Sequence, residues 1–176
     1  MNQKVRILSF SALCVALASV LSMLKLFEMP QGGAVSAFSM IFIVLIGYWF
    51  GASAGLVGAF VFSLIQLMTS HFILNIPQVF LDYILAFTAL GLSGFFRKMP
   101  FGLYIGFFVG CLVRLTMSTI SGVVFYADYA PSGQSPFLYS IIYNGSYIGA
   151  EMVLTMILLS IPPVKHAINR VTNMVK

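Results

Sequence analysis

The feature that most limits how this chain can fold is a series of six apolar runs, separated by short stretches rich in glycine, proline or polar residues. Apolar residues make up 60% of the 176 residues and charged residues only 7%, whereas an ordinary soluble domain is about 25% charged. A soluble protein needs far more charge to cover its surface. The composition therefore excludes a soluble enzyme, a disordered chain and a nucleic-acid-binding domain, and it indicates an integral membrane protein.

The runs predict an all-α fold of six transmembrane helices with short loops, in a single domain over residues 1–176. The predicted spans are 5–27, 38–50, 52–72, 77–96, 101–126 and 136–161. The second run is short for a span, which indicates a bent or tilted helix. The first run is predicted to be a membrane helix and not a cleaved signal peptide, because it is long and no A-x-A cleavage pattern follows it.

The distribution of basic residues predicts the direction in which the chain crosses the membrane. If the N-terminus is inside, seven of the nine basic residues lie in inner segments: Lys4, Arg6, Arg97, Lys98, Lys165, Arg170 and Lys176. Cytoplasmic segments of membrane proteins carry an excess of Lys and Arg. We therefore expect a multi-pass protein of the plasma membrane with both termini in the cytoplasm. The outer loops are then 28–37, 71–76 (which begins at His71) and 127–135.

Polar side chains within membrane spans are energetically costly and mark candidate functional sites. The candidates are Gln66, Asp82, Tyr83, Arg114, Ser118, Tyr139, Tyr143, Asn144, Tyr147 and Glu151. Asp82 lies about 9 Å below the outer end of its predicted span, at 1.5 Å per residue. Tyr126, Tyr139, Tyr143 and Asn144 lie at a similar shallow depth. Together they predict an aromatic, mildly acidic pocket for a flat cationic molecule. For the tyrosines alone, an interfacial aromatic belt is the alternative.

Arg114 and Glu151 lie about midway along two adjacent antiparallel spans. We expect them to form a buried ion pair, because either charge alone is costly in the membrane. The alternatives are that they form the floor of the pocket or a proton relay.

Small residues recur at four-residue spacing and predict close contacts between helices. Ala12 and Ala16 lie in the first span, Gly102, Gly106 and Gly110 in the fifth, and Gly145 and Gly149 in the sixth. Such a face on the outside of the bundle is instead a docking surface for another membrane protein.

Motifs for catalysis or cofactor binding are missing from the sequence. It contains no phosphate-binding Gly-rich loop ending in Lys-Ser or Lys-Thr, no Ser–His–Asp pattern and no Cys/His metal spacing. Cys14 and Cys111 lie within apolar runs and are expected to behave as small hydrophobic residues. We therefore expect neither an enzyme nor a bound metal or cofactor, although Asp82 and Glu151 leave a membrane-embedded acid–base enzyme as a remote alternative. A purely structural subunit gives no reason for Asp82 and Asn144 to lie in apolar spans.

Eight short segments carry a resemblance to a known family. They are MPQGGAVS at 29–36, LDY at 81–83, AF at 86–87, GLSG at 91–94, SGVVF at 121–125, YAP at 129–131, YS at 139–140 and YN at 143–144. In order and spacing they resemble the thiamine-specific substrate-binding (S) subunits of energy-coupling-factor transporters, the ThiT/YuaJ family.

The resemblance implies a fold and a transport cycle. Family members are six-helix bundles that capture a vitamin from outside beneath a lid formed by the loop after the first helix, which corresponds here to Pro30, Gln31, Gly32 and Gly33. The loaded subunit docks on a transmembrane coupling protein with two ATPase subunits and topples in the membrane to release the vitamin inside. The Ala-x-x-x-Ala contact used in docking corresponds to Ala12 and Ala16.

The resemblance also implies a binding site for thiamine. Asp82 stands where the family usually has a glutamate that pairs with the thiazolium ring, and Tyr126 matches a position that carries a stacking aromatic residue. With the matches at the other positions, the predicted substrate-binding set is Asp82, Tyr83, Arg114, Ser118, Tyr126, Tyr139, Tyr143 and Asn144.

Three positions depart from the family pattern. Ser118 stands where histidine is common, and Trp49, the single tryptophan, is predicted to lie outside the pocket. Glu151 is not a feature of the family. Hydroxymethylpyrimidine and pyridoxine therefore remain alternative ligands, and a stand-alone proton-coupled thiamine carrier remains an alternative mechanism.

Overall fold

Helices form most of the structure, a computed structural model that describes residues 2–29, 33–70 and 73–175. Pro30, Gln31 and Gly32 of the predicted lid, together with His71 and Lys176, lie outside the described residues. The helices are α1 (Gln3–Met23), α2 (Ser39–Phe50), α3 (Ala52–Thr69), α4 (Ile76–Phe96), α5 (Gly102–Phe125), α6 (Pro136–Ser160) and α7 (Pro162–Val175).

The predicted spans correspond closely to helices. Over the described ranges, five helices (α1, α3, α4, α5 and α6) are long and apolar enough to cross a membrane. α2 has 12 residues, about 18 Å at 1.5 Å per residue, which is less than the roughly 30 Å hydrocarbon core. The structure thus agrees with an all-α membrane protein and gives five segments of full span length.

α2 is the centre of the bundle. Nine of its residues are buried, among them Met40, Ile43 and Ile46. Phe62 of α3 and Phe107 of α5 are also fully buried in the same apolar core. A helix that is apolar on all sides is stable only when it is surrounded, and this explains why the shortest run lies inside.

α4 is irregular along its whole length. It begins with an α-helical turn (Ile76–Val79), continues as a π-helix (Phe80–Leu85) and a short α-helix (Ala86–Thr88), and ends as a 3₁₀-helix (Ala89–Phe96). Asp82 lies in the π-helical segment, and such segments are frequent at functional sites.

Glycines allow α2, α3 and α4 to approach one another closely. A Cβ atom at Gly91 would lie 2.5 Å from the backbone carbonyl of Gly55, and one at Gly55 would lie 2.7 Å from the Cα of Gly47. The predicted contact face of α5 is partly confirmed, because Gly106 lies against the backbone of Ser93. In contrast, Gly145 and Gly149 on α6 face open space.

The segment after α1 contains a β-hairpin, which the all-α prediction missed. Strands β1 (Lys25–Glu28) and β2 (Ala34–Ser36) pair antiparallel. Val35 is fully buried, and Lys25 Nζ lies 2.8 Å from Glu28 Oε1. This hydrogen bond and the lysine charge lower the pKa of the exposed Glu28 carboxyl. The short length of the strands, which lie between α1 and α2, explains why the pattern was read as a loop.

The chain continues beyond the last predicted span as the amphipathic helix α7. Ile168, Val171 and Val175 pack on the apolar core, and Trp49 Nε1 donates a hydrogen bond of 2.9 Å to Thr172 Oγ1. The sequence analysis treated this segment as a tail. Its apolar residues recur with helical spacing, which is the signal that could have identified it.

We predict that Gly91→Ala destabilises the protein by about 1–3 kcal/mol, because the added methyl group meets backbone that cannot move aside. The thermal unfolding midpoint of the purified protein in detergent measures the effect. Gly149→Ala is the matched control, since nothing lies within 4 Å of its added methyl group. Equal midpoints for the two variants would contradict the close packing of α3 and α4.

Candidate functional site

A cavity of about 450 Å³ opens between α4, α5 and α6, at the end of the bundle where α4 and α6 begin. We call it the tyrosine cavity. Its lining is Gln78, Asp82, Tyr83, Phe87, Arg114, Ser118, Gly122, Tyr126, Tyr129, Tyr139, Ser140, Tyr143, Asn144 and Tyr147. The volume is within the range of about 300–1,000 Å³ that is common for small-molecule sites. All eight residues of the predicted substrate-binding set line this one cavity.

Asp82 is held by one residue of its own helix and one of the neighbouring helix. Its Oδ2 accepts hydrogen bonds from Gln78 Nε2 at 2.8 Å and from Ser121 Oγ at 2.7 Å. Gln78 precedes Asp82 by four residues and therefore lies on the same helix face. Among the described residues, none donates a hydrogen bond to Oδ1. The carboxylate is thus fixed in position and keeps one oxygen available to a ligand in the cavity.

Six tyrosines form the wall of the cavity. Tyr139, Tyr143 and Tyr147 succeed one another at four-residue spacing on α6, with ring centroids 6.1 and 5.8 Å apart. Tyr126 and Tyr129 form a second pair across the cavity, with centroids 5.8 Å apart. Aromatic faces carry a negative quadrupole and attract cations. The wall therefore adds to the attraction that Asp82 exerts on a positive charge.

Asn144 lies in the cavity wall, but its carboxamide is already bonded within the protein. Its Nδ2 donates to the carbonyl oxygens of Ser118 at 3.2 Å and Ser140 at 3.0 Å. Its Oδ1 accepts a hydrogen bond of 2.8 Å from the Tyr147 hydroxyl. In this arrangement the amide joins α5 to α6 and orients Tyr147. A ligand that bonds to the amide must displace one of these partners.

The predicted ion pair between Arg114 and Glu151 is not formed among the described residues. The Arg114 guanidinium lies 4.2 Å from the centroid of the Phe87 ring, and its Nη1 is 2.8 Å from the sulfur of Met40. Its charge is stabilised in direct contact by the ring, and at longer range by Coulombic attraction to the Asp82 and Glu151 carboxylates. The expectation was wrong because equal depth on adjacent helices does not ensure that two side chains face each other.

Glu151 instead binds the hairpin. Its Oε1 accepts a hydrogen bond of 2.8 Å from the Ser36 hydroxyl, and its Oε2 accepts one of 3.3 Å from the Ser36 amide. Glu151 is 3% exposed, and its burial is offset by Coulombic attraction to Arg114 and by these two donors. Gly33 lies against the ring of Tyr147, where an added Cβ atom would be 2.3 Å from the ring. The hairpin therefore contacts α6 at a carboxylate and at a wall residue of the tyrosine cavity.

Several lining residues were absent from the predicted substrate-binding set. Gln78, Tyr129 and Tyr147 are the clearest omissions. Tyr147 follows Tyr143 by one helical turn and Gln78 precedes Asp82 by one turn, so helical spacing could have identified both. Trp49 lies away from the cavity, as predicted, where it packs against Phe10 and Phe50. No group of three or more His, Cys, Asp or Glu residues in the described ranges could hold a metal ion.

Comparisons with known proteins agree with the predicted family. The model of the family "Thiamine transporter protein (Thia_YuaJ)" matches residues 8–170. Thiamine transporter ThiT of Bacillus subtilis (strain 168) is 33% identical over 174 residues, which cover 90% of each chain. Thiamine transporter ThiT of Lacticaseibacillus paracasei is 32% identical over 102 residues, which cover 51% of each chain.

The solved structure of ThiT from Listeria monocytogenes matches with a TM-score of 0.76 at 26% identity, and the match covers 92% of this chain and 97% of that one. The relatives are named as transporters and not as enzymes. This agrees with the prediction of a non-catalytic, multi-pass membrane protein. Since the family model spans most of the sequence, the chain belongs to the thiamine transporter protein family (Thia_YuaJ).

Proposed function

We propose that this protein is the substrate-binding subunit of an energy-coupling-factor vitamin transporter. It captures thiamine from outside the cell and releases it inward after docking on a coupling protein with two ATPase subunits. In this proposal all six apolar runs cross the membrane, with both termini in the cytoplasm. The observation that carries the proposal is the available Asp82 oxygen in a cavity walled by tyrosines.

The charges of the cavity suit a ligand that is cationic at one end. Asp82 contacts Ser121, which follows Arg114 by seven residues on α5. Seven residues correspond to a rise of about 10 Å along a helix. A thiazolium ring near Asp82 therefore lies away from Arg114, and the hydrogen-bond acceptors of the aminopyrimidine ring point toward it. Hydroxymethylpyrimidine and pyridoxine lack a permanent positive charge and gain less from Asp82.

The alternative of a stand-alone proton-coupled carrier depends on Arg114 and Glu151 acting as one relay. Glu151 is bonded to Ser36, whereas Arg114 lies on Phe87. The two side chains have different bonding partners and form no ion pair among the described residues. This favours the mechanism in which the protein docks on a coupling protein with two ATPase subunits. Uptake of thiamine by vesicles that contain this chain alone would contradict our proposal.

We predict that the purified protein binds thiamine more tightly than hydroxymethylpyrimidine or pyridoxine. Calorimetric titration is the appropriate measurement, because it does not depend on Trp49, which is not among the residues that line the cavity. Asp82→Asn should weaken thiamine binding by about 1.5–3 kcal/mol, as expected for a desolvated charge-assisted contact.

The matched control is Asp128→Asn, which makes the same change at an exposed loop position. Its thiamine affinity should equal that of the wild type. If both variants bind as the wild type does, Asp82 is not part of the site. If another vitamin binds more tightly than thiamine, the proposed substrate is wrong.

We also propose that the hairpin, including Gly33, covers the loaded cavity and is held there by Glu151. Ser36→Ala removes the hydroxyl donor to Glu151 but leaves every charge in place. Thiamine dissociation, followed by chase of labelled ligand, should become about tenfold faster, since a hydrogen bond to a charged group contributes about 1.5–3 kcal/mol. Ser19→Ala is the control, because that hydroxyl bonds only within α1. An unchanged dissociation rate in Ser36→Ala would contradict the proposed role of the hairpin as a cover of the cavity.

The docking surface is proposed to include Ala12 and Ala16. Both are exposed, while Cys14, Val15 and Ala18 form the face of α1 that packs inward. Ala12→Leu and Ala16→Leu should therefore leave thiamine affinity within about twofold of the wild type. Uptake by cells that carry the complete transporter should fall severely, because added bulk prevents close helix approach.

Leu13→Phe, which adds bulk at the adjacent exposed position, should retain uptake. Normal uptake by both Ala12→Leu and Ala16→Leu would exclude this face as the docking surface.

A further inference from the structure

A second cavity, of about 180 Å³, lies at the other end of the bundle between α2, the turn from α4 to α5, the end of α6, and α7. We call it the lysine cavity. Its lining is Tyr48, Met99, Phe101, Gly102, Leu103, Tyr104, Leu159, Lys165, Ile168 and Asn169. Nothing in the proposed transport function uses it.

Three polar groups line the lysine cavity. Lys165 and Asn169 are four residues apart on α7 and therefore lie on one face of that helix. The Tyr48 hydroxyl forms no hydrogen bond with any residue in the described ranges, whereas the Tyr104 hydroxyl is bonded to the carbonyl of Leu159 at 2.8 Å. An ammonium, a carboxamide and a hydroxyl thus converge on one small volume.

Acidic residues are missing from this end of the protein. The four acidic residues in the sequence are Glu28, Asp82, Asp128 and Glu151. They lie on the hairpin, in the tyrosine cavity, in the loop before α6, and in contact with β2. Lys165 lines the lysine cavity, and Arg97, Lys98 and Arg170 are close in sequence to other lining residues. The local charge therefore suits an anion and offers no partner for a second, positively charged group.

The rim of the lysine cavity is apolar and faces outward. Phe101 is 76% exposed and Met99 is 50% exposed, next to Leu103 inside the cavity. Phe101 also has a left-handed backbone conformation, with φ of 57°. This conformation is costly for an aromatic residue and is a reason to look for function. Large apolar side chains beside a basic polar group are the arrangement expected where a protein meets the lipid interface.

We propose that the lysine cavity binds one anionic phospholipid. The phosphate pairs with Lys165, the headgroup hydroxyls bond to Asn169 and Tyr48, and an acyl chain lies along Met99 and Phe101. A zwitterionic phospholipid binds less well because its cationic group meets only basic neighbours. Soluble glycerol phosphate has the same phosphate chemistry, but the apolar rim favours a ligand with an acyl chain, which is the membrane lipid.

The test compares lipids that stay bound to the intact protein, measured by native mass spectrometry after release from nanodiscs of equal phosphatidylglycerol and phosphatidylcholine content. The wild type should retain phosphatidylglycerol in preference to phosphatidylcholine. Lys165→Gln should lower that retention about fivefold, the effect of one basic group near a lipid surface. Lys4→Gln removes an exposed charge that lies outside the cavity and should retain the lipid as the wild type does.

A second arm distinguishes the lipid from its soluble headgroup. Glycerol phosphate added to the detergent-solubilised protein should neither raise the thermal midpoint nor displace the retained lipid. The proposal would be overturned if the wild type retained the two lipids equally, or if Lys165→Gln and Lys4→Gln lost phosphatidylglycerol to the same extent. Displacement of the retained lipid by glycerol phosphate would also overturn it. Thiamine affinity of Lys165→Gln should remain that of the wild type, which separates this inference from the proposed transport function.

Discussion

The constraint on which the structure depends is that polar groups in an apolar bundle must find partners within the chain. Asp82 satisfies this constraint by accepting hydrogen bonds from two donors, Gln78 on α4 and Ser121 on α5. Both donors contact Oδ2, and no other residue in the described ranges donates to Oδ1, which remains available in the cavity. A carboxylate with both oxygens satisfied would be better compensated for its burial and would attract a ligand less strongly. The incomplete bonding of Asp82 is therefore the feature that makes the tyrosine cavity a candidate site.

The separation of charges along the molecule assigns different roles to its two ends. The four carboxylates lie on the hairpin, in the tyrosine cavity and its adjoining loop, and against β2. Arg97 and Lys98, which follow α4, and Lys165 and Arg170 of α7 form no ion pair among the described residues. In the functions that we propose, one end therefore attracts a cationic nutrient and the other end attracts an anionic lipid.

Sequence patterns predicted which segments are helices and which residues line the cavity better than they predicted specific contacts. Length and hydrophobicity located the helices because the bilayer dictates both. Helix direction placed Asp82, Tyr126 and Tyr139 at one end, and this was sufficient to bring them into one cavity. It could not determine the partner of Glu151, which depends on the rotation of α6 and on a hairpin of two short strands. The amide of Asn144 illustrates the same limit. Its Nδ2 donates to backbone carbonyls of α5 and α6, and no sequence pattern predicts such a contact.

The hairpin and the tyrosine cavity are physically continuous. Ser36 is bonded to Glu151, Gly33 lies against Tyr147, and the hydroxyl of Tyr147 is bonded to Asn144 in the cavity wall. The hairpin therefore cannot leave α6 without changing what supports Tyr147. A ligand that stabilises one position of Tyr147 also stabilises the hairpin in its contact with α6. By thermodynamic linkage, the hairpin in that position stabilises the bound ligand by the same free energy. The close fit of Gly33 to the ring leaves no room for a larger side chain, and Gly33 therefore limits how closely the hairpin can approach the cavity.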